Sequence, residues 1–176
     1  MEKFTGKVWV LDDDIDTDII IPTEYLALKT IDDMKQYGFS PLRPELAGQI
    51  QKGDIIVAGK NFGCGSSREQ APEIIKALGI QCVIAKSFAR IFFRNSINNG
   101  LLLIEQPDLH DDIKEGDEVT VVMNEHVDYN GKQYPNCFSS GKSDEHYSGW
   151  RTCKSHAQTE WAGLIWKGEE NGRDSY

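Results

Sequence analysis

The stretch "DIIVAGKNFGCGSSREQAPEIIKALGIQCVIAKS" (residues 54–87) contains two apolar runs joined by a glycine-rich turn and a helical pattern. The first run, 54–59, is short, rich in β-branched residues and bounded by glycines, which is typical of a buried strand. Residues 69–78 place their apolar side chains on one helical face and end at Gly79, and a second strand pattern follows at 81–87. The order strand, helix, strand favours an α/β architecture.

The flanking sequence extends this pattern into a mixed sheet. Further strand patterns occupy 7–12, 101–105 and 117–123, and helical patterns occupy 31–38 and 88–99. Asn130-Gly131 marks the turn of a late hairpin, so antiparallel strands follow the alternating strands and helices. We therefore predict one mixed α/β domain with flanking helices over residues 1–135.

Composition excludes several classes of function. The formal net charge is −9 and the isoelectric point is near 4.9, which argues against nucleic acid or an anionic membrane as partner. No apolar run is long enough to span a bilayer, and "MEKFTGK" is not a signal peptide, so we expect a cytoplasmic protein. The four cysteines lie far apart without a C-x-x-C pair, so we expect no metal or cluster site within this chain.

The turn "GCGSSRE" (63–69) allows a structural and a functional interpretation. Ser66 followed three residues later by Glu69 fits a capping box, in which the serine hydroxyl and the glutamate satisfy N–H groups at a helix start. The same helix N-terminus attracts anions, and Arg68 adds a guanidinium suited to a carboxylate. The turn is no Walker loop, G-x-G-x-x-G or G-x-S-x-G motif, which leaves a carboxylate site with a serine beside it.

The acidic run "DDDIDTD" (12–18) also has more than one interpretation. It fails the spacing of a calcium-binding EF-hand loop, because it lacks the glycine and the closing glutamate. It is either a solvated loop or the wall of an active site, and in the second case Arg68 is a possible basic partner. The histidines follow no ligand spacing and are predicted to lie on the surface: His110, His126, His146 and His156.

Three segments carry a resemblance to a known family. They are "DDDIDTDIIIPTEYL" (12–26), "GKNFGCGSSREQAPEIIKALGI" (59–80) and "VIAKSFARIFFRNSINNGLLLIE" (83–105). In this order, and colinear from about residue 5 to about residue 135, they resemble the small subunits of 3-isopropylmalate dehydratase in the aconitase superfamily. The resemblance implies a swivelling β/β/α domain that closes over a large subunit. It further implies that this partner, and not the present chain, holds a [4Fe–4S] cluster whose iron acts as a Lewis acid.

The resemblance also assigns roles to residues. Ser66 matches the serine that acts as an alkoxide base, and Ser67 and Arg68 match positions that hold the substrate carboxylate and stabilise that alkoxide. Asp18 matches an acidic residue behind the site. The implied reaction removes water from 2-isopropylmalate and re-adds it at the neighbouring carbon to give 3-isopropylmalate in leucine biosynthesis. A dehydratase for dimethylmalate, citramalate or homoaconitate, and a non-catalytic carboxylate-binding module, are the alternatives.

Substrate choice is predicted from the segment after the acidic run. Relatives that accept an extra carboxylate tend to carry an arginine in a "YLR" segment, whereas this chain reads "YLALKT". Leu26, Ala27 and Leu28 would form an apolar wall suited to an isopropyl group, although Lys29 could extend toward a charge and the same side chains could pack in the core. We expect specificity for isopropylmalate.

Residues 136–176 depart from the family pattern. The last 40 residues contain only Leu164 and Ile165 as branched aliphatic residues but three of the four tryptophans, a composition that favours poor order. Read from the second base of the Asn136 codon, allowed codons can spell "IASAVENLMNIIRAGGLVKAMRKLNGL", an ending typical of the family. We therefore interpret 136–176 as a frameshifted tail, with a lineage-specific extension as the alternative.

Overall fold

The sheet has seven strands, four of them parallel. The computed structural model describes residues 3–123 and 125–136, and the strand order is β4-β3-β2-β1-β5-β6-β7. The strands are β1 (Lys3–Leu11), β2 (Ile55–Ala58), β3 (Cys82–Ala85), β4 (Leu102–Glu105), β5 (Glu118–Val122), β6 (His126–Tyr129) and β7 (Lys132–Pro135). The prediction of a mixed α/β domain with a mixed sheet is confirmed.

Helices connect the parallel strands. They are α1 (Thr17–Ile20), α2 (Ile31–Lys35), α3 (Leu46–Gln49), α4 (Gln70–Ala77), α5 (Arg90–Asn98) and α6 (Leu109–Asp112), with a 3₁₀ helix at Thr23–Ala27. Helix α4 packs against α1, α2 and α5, while α6 contacts β2. Within the described part of the chain, none of these helices is long and apolar enough to cross a membrane.

The parallel half of the sheet is covered on both faces. Every residue of β2 and β3 is buried, since a parallel sheet with helices on its faces shields both sides of each strand. In register, Ile56 lies opposite Val83, and both belong to the main core cluster together with Ile74 and Ile75 of α4. The apolar helical face predicted from the sequence therefore packs against the centre of the sheet.

The antiparallel half ends in the predicted hairpin. Strands β6 and β7 pair from His126 opposite Pro135 to Tyr129 opposite Lys132, so two residues form the turn. Asn130 and Gly131 have φ angles of 50° and 80°, the left-handed pair that a type I′ turn requires.

Three loops leave the parallel strands at the same edge. The acidic residues follow the end of β1, the glycine-rich turn follows β2, and residues 86–89 follow β3. Because β1, β2 and β3 are parallel neighbours, their carboxyl ends lie side by side. In open α/β sheets this edge is where ligands bind, so the fold brings two of the predicted site segments together.

Several sequence predictions need correction or cannot be compared. The acidic run is not all loop, because its last two residues begin α1. His110 and His126 are half-buried rather than freely exposed at the surface: their side chains are 18% and 20% exposed, and a ring nitrogen of His110 lies 2.9 Å from the carbonyl oxygen of Leu11. The predictions for His146, His156 and 137–176 lie outside the described residues.

Candidate active site

The glycine-rich loop and the acidic loop bind each other through the main chain. The N–H of Gly63 donates to the carbonyl oxygen of Ile15 at 2.7 Å, and the N–H of Thr17 donates to that of Cys64 at 2.8 Å. Asp14 donates in the same way to the carbonyl of Lys60, also at 2.8 Å. The loops after β1 and β2 therefore form one unit rather than two independent segments.

Carboxylates of the acidic run stabilise this pair of loops by accepting hydrogen bonds. Asp13 accepts from the N–H of Lys60 at 2.6 Å, and Asp14 accepts from the side-chain amide of Asn61 at 2.8 Å. Asp16 instead caps α1 by accepting from the N–H of Ile19 at 2.7 Å. These carboxylates are engaged in shaping the loops, which explains why the run is acidic without being a calcium site.

Two glycines of the turn are required by backbone geometry. Gly63 has φ +78°, and a Cβ there would lie 2.1 Å from Cγ of the buried Phe92. Gly65 has φ +93°, and its Cβ would lie 3.3 Å from Oγ1 of Thr17. Because side chains are disfavoured at both positions, the turn "GCG" is specified by its backbone and by close contacts.

The predicted capping box is wrong. Helix α4 begins at Gln70, its N-cap residue is Glu69, and Glu69 makes no side-chain capping hydrogen bond. The carbonyl oxygen of Ser66 accepts from the N–H of Arg68 at 2.9 Å, so Ser66 lies in a turn that precedes the helix. Ser66 therefore does not serve as the cap of α4.

The side chain of Arg68 connects the glycine-rich loop to the acidic run and to the residues that follow it. Its side chain is 11% exposed, and its Nη1 donates to the carbonyl oxygen of Ile21 at 2.7 Å. Its Nη2 donates to Oδ1 of Asp18 at 2.5 Å and to Oγ1 of Thr23 at 2.8 Å. The hydroxyl of Thr23 in turn donates to Asp18 at 3.0 Å. Arg68, which the sequence offered as a possible basic partner if the acidic run is an active-site wall, therefore contacts Asp18 of that run.

These contacts determine which donors of Arg68 remain free. A guanidinium has five N–H donors, and Nη2 supplies two of them. Both Nη2 hydrogens bond to Asp18 and Thr23. Arg68 therefore cannot bind another carboxylate through Nη2 together with Nε or Nη1 while these contacts are kept. Nε and the second hydrogen of Nη1 have no acceptor among the described residues. The same contacts lower the pKa of Asp18, chiefly through the hydrogen bond from Arg68 and next through that from Thr23.

Ser66 and Ser67 present their side chains at the surface of this edge. Both residues are exposed, whereas Arg68 beside them is mostly buried. The carbonyl of Ser66 is held from the interior by Oγ1 of Thr17 at 3.0 Å. The structure thus brings together four of the predicted site residues: Asp18, Ser66, Ser67 and Arg68.

The predicted apolar wall is only partly open. Leu26 and Leu28 are half-buried and pack against the main core cluster, whereas Ala27 is exposed at the end of the 3₁₀ helix. Since Thr23 in the same helix contacts Arg68, this segment is connected to the two loops. Ala27 is therefore the member of the wall with the most room to face another molecule.

The described residues do not fit an iron–sulfur cluster. Within 3–123 and 125–136, no group of three His, Cys, Asp or Glu side chains is arranged to hold a metal ion. Cys82 is fully buried in β3, and burial raises the pKa of its thiol. At Cys64 burial again raises the thiol pKa, with the carboxylates of Asp16 and Asp14 adding to the effect. Neither thiol lies in a group of residues arranged to ligate a cluster within the described part of the chain.

Two threonines of the site were missed by the sequence interpretation. Thr17 is 1% exposed and bonds the Ser66 carbonyl, and Thr23 bonds both Arg68 and Asp18. The signal available for Thr17 was its place between two aspartates that flank a turn. Nothing in the sequence pattern marks Thr23, because its contact spans 45 residues.

Comparison with known proteins defines the class. The family model of the aconitase C-terminal domain matches residues 18–109, which include Asp18 and the whole glycine-rich loop. The crystal structure of 3-isopropylmalate dehydratase (leuD) from Methanocaldococcus jannaschii is similar, with a TM-score of 0.75 and 40% identity. The match covers 80% of this chain and 84% of that chain. The swivel-domain fold predicted from the sequence is confirmed.

Curated relatives narrow the class to one family. The 3-isopropylmalate dehydratase small subunit of Lachnospira eligens is 80% identical over 134 residues, 76% of this chain and 82% of the relative. The small subunit 1 of Archaeoglobus fulgidus is 51% identical over 133 residues, 74% of this chain and 82% of the relative. The chain belongs to the family of 3-isopropylmalate dehydratase small subunits. Membership in this family makes it a component of a hydro-lyase of the aconitase type.

Proposed function

We propose that this chain is the small subunit of an enzyme that interconverts 2-isopropylmalate and 3-isopropylmalate in leucine biosynthesis. Its 80% identity to a named small subunit supports the reaction. The main support for the active site is the exposed Ser66–Ser67 turn. Hydrogen bonds of Thr17 and Arg68 connect this turn to the acidic run. Asp18, Ser66, Ser67 and Arg68 all lie at this edge of the sheet.

Ser66 is the base in this proposal. As an alkoxide it takes a proton from the carbon of the substrate, the electron pair of that C–H bond forms a double bond, and the neighbouring C–O bond breaks. The hydroxyl group leaves as hydroxide. Hydroxide then adds to the carbon that lost the proton, and Ser66 returns its proton to the carbon that lost the hydroxyl, which gives the isomer and restores the alkoxide. An ordinary serine hydroxyl is too weak an acid for this role, so the alkoxide needs donors and a closed, water-poor site.

Arg68, Ser67 and Asp18 support the base. Arg68 lies two residues from Ser66, and its positive charge favours both the alkoxide and a substrate carboxylate. Asp18, Thr23 and the carbonyl of Ile21 leave two donors of Arg68 without a partner among the described residues, Nε and one hydrogen of Nη1, and these are the ones that a carboxylate could use without breaking those contacts. Asp18 holds the guanidinium in place. The hydroxyl of Ser67 is the second carboxylate donor.

A large subunit completes the enzyme. A small subunit implies such a partner, and membership of the aconitase family points to an iron–sulfur cluster for the assembled enzyme. Since the described cysteines do not fit a cluster, we assign it to the large subunit. The active form is then a heterodimer or a higher assembly of both subunits, located in the cytoplasm, which binds a small dicarboxylate and neither nucleic acid nor membrane.

Substrate selection falls to the segment at 26–28. An exposed Ala27 between two half-buried leucines gives an apolar surface without a fork for a third carboxylate. This surface suits the isopropyl group. Comparable turnover of homoaconitate by the assembled pair would contradict the assignment.

The test is Ser66→Ala in the chain reconstituted with its large subunit. Turnover of 2-isopropylmalate is expected to fall by at least about a thousandfold, as for loss of a catalytic base or nucleophile, while assembly of the pair is unchanged. Ser40→Ala is a matched control, because Ser40 is a half-buried serine after α2 and not part of the loop. Near-normal turnover by Ser66→Ala would remove Ser66 from the mechanism. Substrate binding without any turnover by the unaltered pair would favour a non-catalytic binding module.

A further inference from the structure

Thr17 lies directly beneath the glycine-rich loop. It is 1% exposed and is the first residue of α1. Its N–H donates to the carbonyl of Cys64 at 2.8 Å, and its hydroxyl donates to the carbonyl of Ser66 at 3.0 Å. Those two carbonyls stand on either side of Gly65, where φ is +93°. One buried side chain and its own backbone therefore hold the loop on both sides of its sharpest bend.

The Ser66 carbonyl is fully engaged. It accepts from the hydroxyl of Thr17 and also from the N–H of Arg68 at 2.9 Å, and a carbonyl oxygen has two lone pairs. With both used, the plane of the peptide between Ser66 and Ser67 has one orientation. Loss of the Thr17 hydroxyl would leave only the short turn contact to Arg68.

This orientation directs the N–H of Ser67. In a trans peptide the N–H points opposite to the carbonyl of the preceding residue. Since the Ser66 carbonyl points inward to Thr17, the Ser67 N–H points outward, to the side on which both serine side chains are exposed. No group in the described part of the chain accepts a hydrogen bond from that N–H. Within the described residues it is a free donor on the exposed side of the loop.

We propose that Thr17 is a positioning residue for the reaction, acting through its hydroxyl on the peptide between Ser66 and Ser67. Resting on the proposed function, this inference gives Thr17 two tasks. It holds the Ser66 side chain at the place from which it can take a proton, and it keeps the Ser67 N–H directed toward the side on which the Ser66 alkoxide carries its negative charge. Rotation of this peptide would move both groups at once.

The kinetic test compares Thr17→Val with Thr17→Ser in the reconstituted enzyme. Valine keeps the shape of threonine and loses the hydroxyl, whereas serine keeps the hydroxyl and loses a methyl group. Thr17→Val is expected to lower kcat about 10- to 100-fold with KM within about twofold, because misplacement of a catalytic group acts on the chemical step. Thr17→Ser should keep kcat within about threefold. Thr5→Val, which removes an exposed hydroxyl bonded to Thr120, is the matched control.

A second readout is independent of activity. In the isolated full-length chain, hydrogen exchange of the Arg68 amide, which bonds the Ser66 carbonyl, should be faster in Thr17→Val by about fivefold or more and unchanged in Thr17→Ser. Equal exchange in all three chains would overturn the inference. So would a kcat of Thr17→Val within about twofold of the unaltered enzyme, or equal losses in both Thr17 variants. If the unaltered pair has no dehydratase activity, the proposed function fails, and the exchange experiment still decides whether Thr17 orients the loop.

Discussion

Nη2 of Arg68 lies 2.5 Å from Oδ1 of Asp18, across 50 residues of sequence. The arginine belongs to the loop after β2 and the aspartate to α1, which follows the loop after β1, so their contact connects the segments at the carboxyl ends of two parallel strands. Thr23 bridges the same two groups, accepting from one and donating to the other. The proposed catalytic turn is therefore arranged by contacts to the acidic loop.

The Asp18–Arg68 pair should make stability depend on acid pH. The pKa of Asp18 is below its ordinary value, first because of the hydrogen bond from Arg68 and then because of Thr23. A lowered pKa means that the stabilisation is present above the unfolded-state pKa and is lost as pH falls through the folded-state value. Urea unfolding of the unaltered chain and Asp18→Asn should therefore differ by a constant amount above about pH 5, and by less as pH falls below about 4.

Thr23→Val is the control for this experiment. It removes one hydrogen bond to Asp18 and keeps the ion pair, so the same pH dependence should persist at reduced amplitude. A difference between the unaltered chain and Asp18→Asn that is the same at every pH at which both fold would contradict the lowered pKa.

Arg68→Lys should lower activity although it keeps the charge. A lysine ammonium is a single point and cannot reach Ile21, Asp18 and Thr23 with the fixed geometry of a guanidinium. We expect kcat/KM of the reconstituted enzyme to fall about 100-fold or more. The measurement is steady-state dehydration of 2-isopropylmalate.

Arg43→Lys is the matched control. Arg43 likewise binds a carboxylate, that of Glu115, and a backbone carbonyl, that of Val10. It touches neither serine of the loop, so its replacement should lower thermal stability without a comparable loss of kcat/KM. Equal losses of activity in both variants would show that Arg68 contributes only to stability.

Gly63→Ala should prevent folding or strongly lower the melting temperature. The new Cβ would meet the ring of Phe92, which is 2% exposed and cannot move aside, in addition to the cost of a positive φ. Gly131→Ala has a similar φ of +80° but nothing within 4 Å, so it should cost only about 1 kcal/mol. Thermal unfolding of both variants separates the steric clash with Phe92 from the cost of a positive φ. Equal melting temperatures would contradict the predicted clash.

Ala27→Arg should widen substrate choice. The position is exposed, so a guanidinium there could bind an additional carboxylate, whereas Leu28→Arg would place a charge against the core. The expected result is a rise of about tenfold in relative kcat/KM for homoaconitate over isopropylmalate in Ala27→Arg. Leu28→Arg should instead lower the melting temperature. An unchanged preference in Ala27→Arg would exclude this segment from substrate selection.

The interpretation of residues 136–176 is tested with the coding DNA and the mass of the protein. We propose that 136–176 is read in a shifted frame, since Trp150-Arg151 and Trp161-Ala162 each force a glycine codon in the frame that restores a family ending. The coding DNA should contain one extra base near the Pro135–Asn136 codons, and the native protein should have the mass of the restored ending. Agreement of both DNA and mass with the present ending, without a disrupted frame in close relatives, would refute the proposal.

The sequence by itself determined the local elements and the candidate residues. Periodicity predicted the strands around the helix at 69–78, and Asn130-Gly131 predicted its hairpin, because these structures depend on residues close together in the chain. The glycine-rich motif indicated Ser66, Ser67 and Arg68 for the same reason. The local pattern was misleading at the start of α4. Ser66 and Glu69 have the spacing of a capping box, but α4 begins only after Glu69.

Only the tertiary structure decided which groups meet. The pairing of β1 with β2 brings Asp18 to Arg68 and Thr17 to Ser66, contacts that span 50 and 49 residues. It also occupies both hydrogens of Nη2 and places His110 against the end of β1. A hydrogen bond across such a separation depends on the packing of the whole sheet. Periodicity and short motifs do not reveal that packing, so the contacts of Thr17 and Thr23 were found only in the tertiary structure.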